Sequence, residues 1–247
     1  MRLGMGLRMS DLLKHGAGGY TGTLLDGLVS YWPLDEESGT RYDAVGDNDL
    51  TDNNTVGFAE GKHNNAASFV GANGEFLSVA DGAGTVWGED GNGVTVAMWV
   101  KPNGNPVGYA LLFGRNSLAS DAERNFNIFT ESGSLTDIYI EFNAGARIQT
   151  VGSSLTDGVW QLLICWFDPT DKKQRLSIND ETVLTSLAGA TTVLSSPTSD
   201  VAIGGWSAFA AYFNGGIDEP AIWSRALTAD ERSELYNAGA GFFYPFT

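Results

Sequence analysis

The stretch FNGGIDEPAIWSRALTADERSELYNAG, residues 213–239, joins a strand pattern directly to a helix pattern near the end of the chain. A glycine pair followed by a largely apolar run predicts a strand over residues 216–223. Thr228, followed three residues later by Glu231, forms the pattern of a capping box, which predicts that a helix begins there. The stretch therefore predicts a closing strand followed at once by one short helix.

The chain from residue 27 onward repeats short apolar runs separated by turns rich in Gly, Asn, Asp and Ser. No helical pattern separates these runs, so they predict an all-β fold in which two antiparallel sheets pack face to face. The predicted strands are residues 27–34, 66–70, 75–79, 94–101, 109–114, 126–130, 137–142, 146–151, 159–168, 174–179, 181–185, 201–205 and 216–223.

The composition is that of a folded, acidic protein, because 43% of the 247 residues are hydrophobic and 30 acidic residues face 14 basic ones. The net charge of −16 repels phosphates and anionic lipid headgroups, so we expect no nucleic-acid partner. No run approaches the roughly 18 apolar residues that cross a bilayer, so we expect no membrane insertion. The single cysteine, Cys165, excludes an internal disulfide, and its apolar run predicts a buried, inert thiol.

The two ends of the chain differ in composition from the predicted sandwich. Residues 1–24 are a predicted N-terminal arm, mildly basic and without the apolar region of a secretory signal, ahead of a domain at residues 25–247. This segment is either a disordered leader or an arm that orders against a neighbouring subunit. The aromatic tail, residues 241–247, either covers the edge of the sandwich or contacts a partner chain. The candidate oligomer contacts are Leu3, Leu7, Leu12, Leu13, Phe242, Phe243 and Phe246.

Five stretches of the chain carry the landmarks of one known family. They are GLVSYWPLDEESGTRYDAVGDNDL at 27–50, KHNNAASFVGANGEFLSVAD at 62–81, VTVAMWVKP at 94–102, DGVWQLLICWFDPTDKKQRLSIND at 157–180, and NGGIDEPAIWSRALTADERSELYNAG at 214–239. Taken in order, they resemble the LamG-like jelly-roll domains of the concanavalin A-like lectin/glucanase superfamily. The resemblance implies a jelly-roll sandwich, but it implies little about function, because this superfamily holds lectins, enzymes, adhesion modules and virion proteins.

The resemblance also implies a structural calcium ion between the closing strand and the first loop. Carried over by position, its ligands are Asp218 and Asp43, backbone oxygens around Gly46 and Asn48, and Glu219 as a further ligand. Carboxylate and carbonyl oxygens are the ligands that calcium prefers. The alternative is that Asp218 accepts hydrogen bonds from that loop without a metal.

The acidic residues do not form the pattern of a glycosidase, which needs two carboxyl groups facing one sugar. Asp218 and Glu219 are adjacent, and neighbours on a regular strand point to opposite faces. Asp137 and Glu141 share a face, but the middle acid of the glucanase pattern is missing between them. We therefore expect a protein without catalytic activity.

A sugar site is favoured by the segment GGWSAFAAYFNGG, residues 204–216, in which aromatic and small residues alternate. Lectin sites stack aromatic rings on sugar faces, so Trp206, Phe209 and Tyr212 are the candidate sugar-binding residues. The alternative is that these rings cap the ends of the sandwich.

Three functional hypotheses follow. The first is a non-catalytic structural or decoration protein of a phage-like virion, forming a homo-oligomer or contacting other virion proteins, with a cell-surface glycan as a further partner. The second is an extracellular or cell-surface carbohydrate-binding module that is exported without a classical signal peptide. The third is a glycoside hydrolase that acts on polysaccharide.

Overall fold

The computed structural model describes residues 22–80, 93–106, 108–116, 124–131, 133–135, 137–142, 147–149, 155–179, 183–185 and 200–247. The strands are β1 Leu28–Tyr31, β2 Thr51–Asn53, β3 Gly57–Glu60, β4 Asn65–Phe69, β5 Phe76–Val79, β6 Val94–Pro102, β7 Ala110–Asn116, β8 Arg124–Thr130, β9 Ile138–Phe142, β10 Arg147–Gln149, β11 Gln161–Asp168, β12 Lys173–Ile178, β13 Leu184–Thr185, β14 Val201–Ile203, β15 Gly205–Trp206, β16 Ala211–Tyr212 and β17 Gly215–Trp223. The α-helix, α1, is Ala229–Tyr236.

The strands form two large antiparallel sheets, which confirms the predicted sandwich. The first sheet has the order β13-β12-β11-β6-β17-β4-β3, with β1 also paired to β17. The second sheet has the order β10-β9-β8-β7-β14-β5-β2, and β15 pairs with β16 in a small separate hairpin. Strands that neighbour each other in these sheets are often far apart in sequence, as expected for a jelly roll.

The main core lies between the two sheets, where apolar side chains from both inner faces meet. Met98 of β6 and Cys165 of β11 are fully buried in this core, as predicted for the thiol. Burial raises the pKa of the Cys165 thiol well above its usual value, so the thiol stays protonated and unreactive.

A second apolar layer covers the outer face of the first sheet. Trp99, Trp166 and Trp223 lie on that face, beneath α1 and the aromatic tail. Tyr31 contacts the rings of Tyr244 and Phe246 at centroid distances of 5.3 Å and 5.7 Å. The tail therefore packs on its own domain. This layer also includes half-buried Phe242 and Phe243, whose oligomer contacts stay a prediction.

The sandwich includes residues that the sequence assigned to the N-terminal arm. Leu24 is buried in the second apolar layer, and its carbonyl accepts a hydrogen bond of 2.7 Å from the Trp223 indole. Thr23 donates to Glu231 of α1. The body of the domain thus begins by Thr23, two residues before the predicted boundary at residue 25. The candidate arm contacts Leu3, Leu7, Leu12 and Leu13 lie outside the described residues.

Helix α1 begins with the predicted capping box. Thr228 Oγ1 accepts from the Glu231 amide, and Glu231 accepts from the Thr228 amide at 2.8 Å. Burial opposes ionisation of Glu231, but hydrogen bonds from Arg225, Thr23 and Thr228 outweigh it and lower its pKa to about 2. The helix ends where Asn237 adopts the left-handed conformation that glycine often supplies.

We expect the Glu231→Gln substitution to lower the free energy of unfolding by about 1–3 kcal/mol at pH 7, because charged hydrogen bonds to Arg225 are lost. The folded-state pKa lies below the unfolded value, so the contribution of the carboxylate is complete above about pH 4.3 and is lost as the pH falls towards 2. Urea unfolding at several pH values would measure this. The exposed neighbour Asp230→Asn is the control, and an equal effect of both substitutions would contradict the prediction.

Candidate functional site

Strand β17 contains a bulge at the two acidic residues of the quoted stretch. From Asp218 to Ala221, β17 advances three residues while its partner β6 advances two. Glu219 takes up the extra residue with a φ of 54°. Asp218 lies opposite Trp99 on the outer face, and Glu219 lines a small cavity there with the same tryptophan. The expectation that the two acids face opposite sides assumed a regular strand and is wrong for that reason.

Asp218 binds the loop between β3 and β4. One oxygen, Oδ2, accepts hydrogen bonds from the backbone amides of Lys62 at 2.7 Å and His63 at 3.0 Å. A Cβ on Gly61 would lie 2.6 Å from the same oxygen, so the loop approaches this closely only with glycine there. Asp218 is fully buried, and that burial raises its pKa to about 7.

Glu219 connects the bulge to the aromatic tail. Burial raises its pKa to about 9, against the opposing effect of a hydrogen bond with the Tyr31 side chain. The Tyr31 hydroxyl in turn accepts from the amide of Tyr244 at 3.1 Å. Among the described residues, Asp218 Oδ1 and Glu219 Oε2 have no hydrogen-bond partner. A neutral, protonated pair reduces the cost of burying those oxygens.

Asp43 organises the first loop. Its Oδ1 accepts from the amides of Tyr31 and Val45, each at 3.0 Å, and its Oδ2 accepts from the amide of Asn48 at 3.3 Å. A Cβ on Gly46 would lie 2.9 Å from Oδ2, so this loop also folds tightly around the carboxylate. Asp43 is therefore surrounded by backbone amides from its own loop and from β1.

The residues nominated for calcium lie in two regions that Tyr31 connects. Asp43, Gly46 and Asn48 belong to the first loop, where Asp43 accepts from the Tyr31 amide, whereas Asp218 and Glu219 engage residues 62–63 and the Tyr31 side chain. The described part of the chain contains no group of three or more acidic, His or Cys side chains placed to hold a metal. Calcium binding by these residues stays a prediction.

The second candidate site begins at the hairpin of β15 and β16. Gly204 has a φ of 79°, and a Cβ there would lie 2.3 Å from the ring of Phe69, so glycine is required for the chain to turn over the core. The 3-10 turn Ser207–Phe209 joins the two short strands. This hairpin places Trp206 and Phe209 with their ring centroids 4.3 Å apart.

A cavity of about 240 Å³ lies beside this hairpin on the outer face of the second sheet. Tyr109 and Phe209 are half-exposed, whereas Asn127 and Glu141 are almost fully buried. The buried indole nitrogen of Trp206 has no hydrogen-bond partner among the described residues. The cavity thus combines aromatic walls with polar groups. It is lined by Tyr109, Leu111, Asn127, Phe129, Glu141, Trp206, Phe209 and Ala211.

Two of the three candidate sugar-binding residues line this cavity together, Trp206 and Phe209. Tyr212 does not line it, and its ring lies 6.4 Å from that of Phe76. Sequence reasoning missed Asn127 and considered Glu141 only as a catalytic acid. They are cross-strand neighbours on β8 and β9, and no local signal marked them as lining a cavity, because outward polar residues on a strand normally face solvent.

The sequence matches the Laminin_G_3 family model, described as the concanavalin A-like lectin/glucanases superfamily, over residues 71–231. The chain belongs to this family. The resemblance stated from the sequence is thereby confirmed. No curated protein matches the sequence.

Several solved structures share the fold. Domain 4 of AbnA, an extracellular GH43 arabinanase from Geobacillus stearothermophilus solved with arabinotriose, has a TM-score of 0.60 and 22% identity, with 83% of this chain and 96% of that chain covered. The binding domain of Paraclostridial Mosquitocidal Protein 1 has a TM-score of 0.69 and 14% identity, with 87% and 52% covered. Trypanosoma rangeli sialidase has a TM-score of 0.63 and 14% identity, with 87% and 34% covered. This chain thus spans about half of the mosquitocidal protein chain and a third of the sialidase chain. At these identities the likeness shows the fold alone.

We expect the free energy of unfolding to fall as the pH rises from about 4 towards 9 without added metal. The folded-state pKa values, about 7 for Asp218 and about 9 for Glu219, lie above the ordinary values of 3.8 and 4.5 for these side chains, so the folded state binds more protons over that range. The Glu219→Gln substitution should flatten the decline above pH 7. Chemical unfolding across this pH range is the measurement, and the exposed Glu60→Gln is the control.

Thermal unfolding tests whether these carboxylates bind calcium. If these carboxylates hold the ion, calcium should raise the melting temperature relative to EDTA, more strongly at pH 8 than at pH 6, because the ligands must be deprotonated. Asp218→Asn should abolish the difference. No difference between calcium and EDTA in the wild type would refute calcium binding.

Proposed function

We propose that the chain is a non-catalytic carbohydrate-binding module and that sugar binds in the cavity on the outer face of the second sheet. The observation that carries this proposal is the combination of exposed aromatic rings with buried polar groups in one concave site. Sugars present an apolar face of C–H groups and a rim of hydroxyls, and this cavity offers a partner for each.

The aromatic residues that line the cavity are held by contacts with one another and with Tyr139. The ring of Phe209 contacts that of Trp206 in a tilted arrangement, and Tyr109 contacts Phe129 edge to face at a centroid distance of 6.0 Å. Phe129 also stacks on Tyr139 at 5.2 Å, which fixes its orientation. These contacts hold the rings in place before a ligand arrives, so little conformational entropy is lost on binding.

The polar groups suit hydroxyl recognition. The indole nitrogen of Trp206, which has no hydrogen-bond partner among the described residues, offers a donor to a sugar hydroxyl, and Glu141 and Asn127 add polar side chains to the lining. At about 240 Å³ the cavity is smaller than typical drug-sized pockets, which supports one sugar ring as its content.

The lining residues support binding rather than hydrolysis. Glycosidases need two carboxyl groups around one glycosidic bond. Glu141 is the one carboxylate among the described residues that line this cavity. The absence of catalytic activity is part of the proposal, and incubation with a panel of polysaccharides tests it. Release of reducing sugar that is lost in Glu141→Gln would refute it.

The binding module is favoured over the virion protein. AbnA domain 4 was solved in complex with arabinotriose, and the mosquitocidal protein domain is a binding domain, whereas the virion hypothesis gains no support from the structures described above. A location outside the cell or on its surface is part of this proposal. Its one described α-helix, of eight residues, is far too short to cross a membrane. Co-purification with phage particles would instead support the virion hypothesis.

We expect Phe209→Ala and Tyr109→Ala each to weaken glycan binding about tenfold, because one aromatic contact contributes about 0.5–1.5 kcal/mol beyond its buried area and 1.4 kcal/mol equals a factor of ten. Both side chains are about half exposed, at 53% and 49%, so their removal should leave the fold intact. Affinity electrophoresis against immobilised polysaccharides would identify a ligand, and titration calorimetry would measure the change.

The control is Tyr42→Ala, which removes an aromatic ring that is 60% exposed on the first loop. It should bind as the wild type does. Equal losses in all three variants would show that binding is not located at the cavity, and unchanged binding in Phe209→Ala and Tyr109→Ala would overturn the site.

A further inference from the structure

The cavity beside Trp206 has an apolar end and a polar end. Phe129 and Asn127 both line it from β8, two residues apart, so about 7 Å of strand separates them. Leu111 lies opposite Phe129 on β7 and extends the apolar end, whereas Glu141 lies opposite Asn127 on β9 and extends the polar end. A ligand that lies along β8 therefore meets two different chemical environments.

The apolar end lies beneath the hairpin of β15 and β16. Leu111 of the sheet and Trp206 and Ala211 of the hairpin are almost fully buried and belong to one apolar cluster. A residue on the outer face of a sheet often meets solvent, but the hairpin covers Leu111. Tyr109 and Phe209, which also line the cavity, are about half exposed and lie nearer its mouth. The deepest contacts that this end offers are therefore apolar.

This apolar end suits a methyl group better than a hydroxyl group. The side chains of Leu111, Phe129 and Ala211 carry no polar atom, and the Trp206 indole nitrogen is a donor only. A sugar hydroxyl buried among these side chains would find no side-chain acceptor for its own proton, and an unpaired buried polar group is costly. A methyl group in the same place would gain from leaving water and would leave nothing unpaired.

We infer that the sugar in this cavity is a 6-deoxyhexose, with its C6 methyl group in the apolar end and its hydroxyl groups towards Asn127 and Glu141. This inference rests on the proposed function and specifies its substrate class. The sugar matches the cavity because it carries a methyl group at one side of its ring and hydroxyl groups at the other. Tyr109 and Phe209 contact the ring from the mouth.

The methyl group is tested with sugars that differ only at that position, by saturation-transfer difference NMR on the full chain. The series are L-fucose, L-galactose and D-arabinose; L-rhamnose, L-mannose and L-lyxose; and D-quinovose, D-glucose and D-xylose. In each series the methyl group is first kept, then hydroxylated, then removed.

In the series whose ring configuration fits, we expect the 6-deoxy sugar to bind about fourfold more tightly than the sugar without the group, because one more carbon is buried. It should bind at least about fivefold more tightly than the hydroxylated sugar, because the added hydroxyl is left without a full set of partners. The methyl protons should receive the strongest saturation from the protein.

The Ala211→Ser substitution tests where the methyl group lies, because it adds a hydroxyl to the apolar end with little change in volume. It should reduce the preference for the 6-deoxy sugar over the hydroxylated sugar to about twofold or less. Ala59→Ser, on an exposed position of β3 in the first sheet, is the matched control and should keep the wild-type preference. An unchanged preference in a folded Ala211→Ser variant would overturn the placement, and the wild-type comparison decides the inference if that variant does not fold.

The outcomes separate this inference from the proposed function. Binding that depends on Phe209 but is equally tight for all members of each series would leave the sugar site standing and refute the methyl contact. Tighter binding of N-acetylglucosamine than of every 6-deoxy sugar would assign the apolar end to an acetyl group and also overturn the inference. No binding to these sugars or to the immobilised polysaccharides would refute both.

Discussion

The fold depends on β17, because one edge of this strand pairs with two different strands along its length. Its first half pairs with β4 as far as Ile217, and its second half pairs with β1 from Ala221 onward. Residues 218–220, between these two halves, have no partner strand at this edge of β17. The bulge fills this gap, because Asp218 accepts the amides of the loop that precedes β4 and the carbonyl of Pro220 accepts from the amide of Trp32. Two carboxyl groups are therefore buried where strand pairing is interrupted.

Those buried acids explain why the closing strand and the covering tail belong to one unit. Glu219 bonds to Tyr31, and Tyr31 holds the tail at Tyr244. Lys62 bridges the same region from the loop side, since its ammonium donates to the Gly239 carbonyl at 2.6 Å and lies over the Trp99 ring. Asp218 accepts backbone hydrogen bonds, as the alternative to calcium predicted, but the donors are residues 62–63 and not the first loop.

The sequence predicted features that depend on local pattern and missed those that depend on distant partners. The capping box of α1 and the apolar runs of β6 and β11 are readable because their residue types follow from neighbours in the chain. The short strands β2 and β3 were missed, since three or four mostly exposed residues carry little periodicity. The bulge at Glu219 was missed because its cause is a change of partner strand, which no local pattern records.

The residues of the candidate site show the same difference between local patterns and distant partners. Trp206 and Phe209 were predictable, because an aromatic residue among small ones in a glycine-rich segment is unusual. Asn127 and Glu141 were not, because outward polar residues on a strand normally face solvent. Only the hairpin that folds over the sheet turns them into the floor of a cavity, and this hairpin depends on the turn at Gly204.

The two described ends of the chain lie on one side of the domain, and the cavity lies on the other. Leu24 and the aromatic tail both pack on the outer face of the first sheet, whereas the cavity beside Trp206 lies on the outer face of the second sheet. A tether joined near either end would approach from behind the domain and leave the cavity facing outward. The packing of α1 and the aromatic tail on the first sheet would thereby direct the cavity away from the tether.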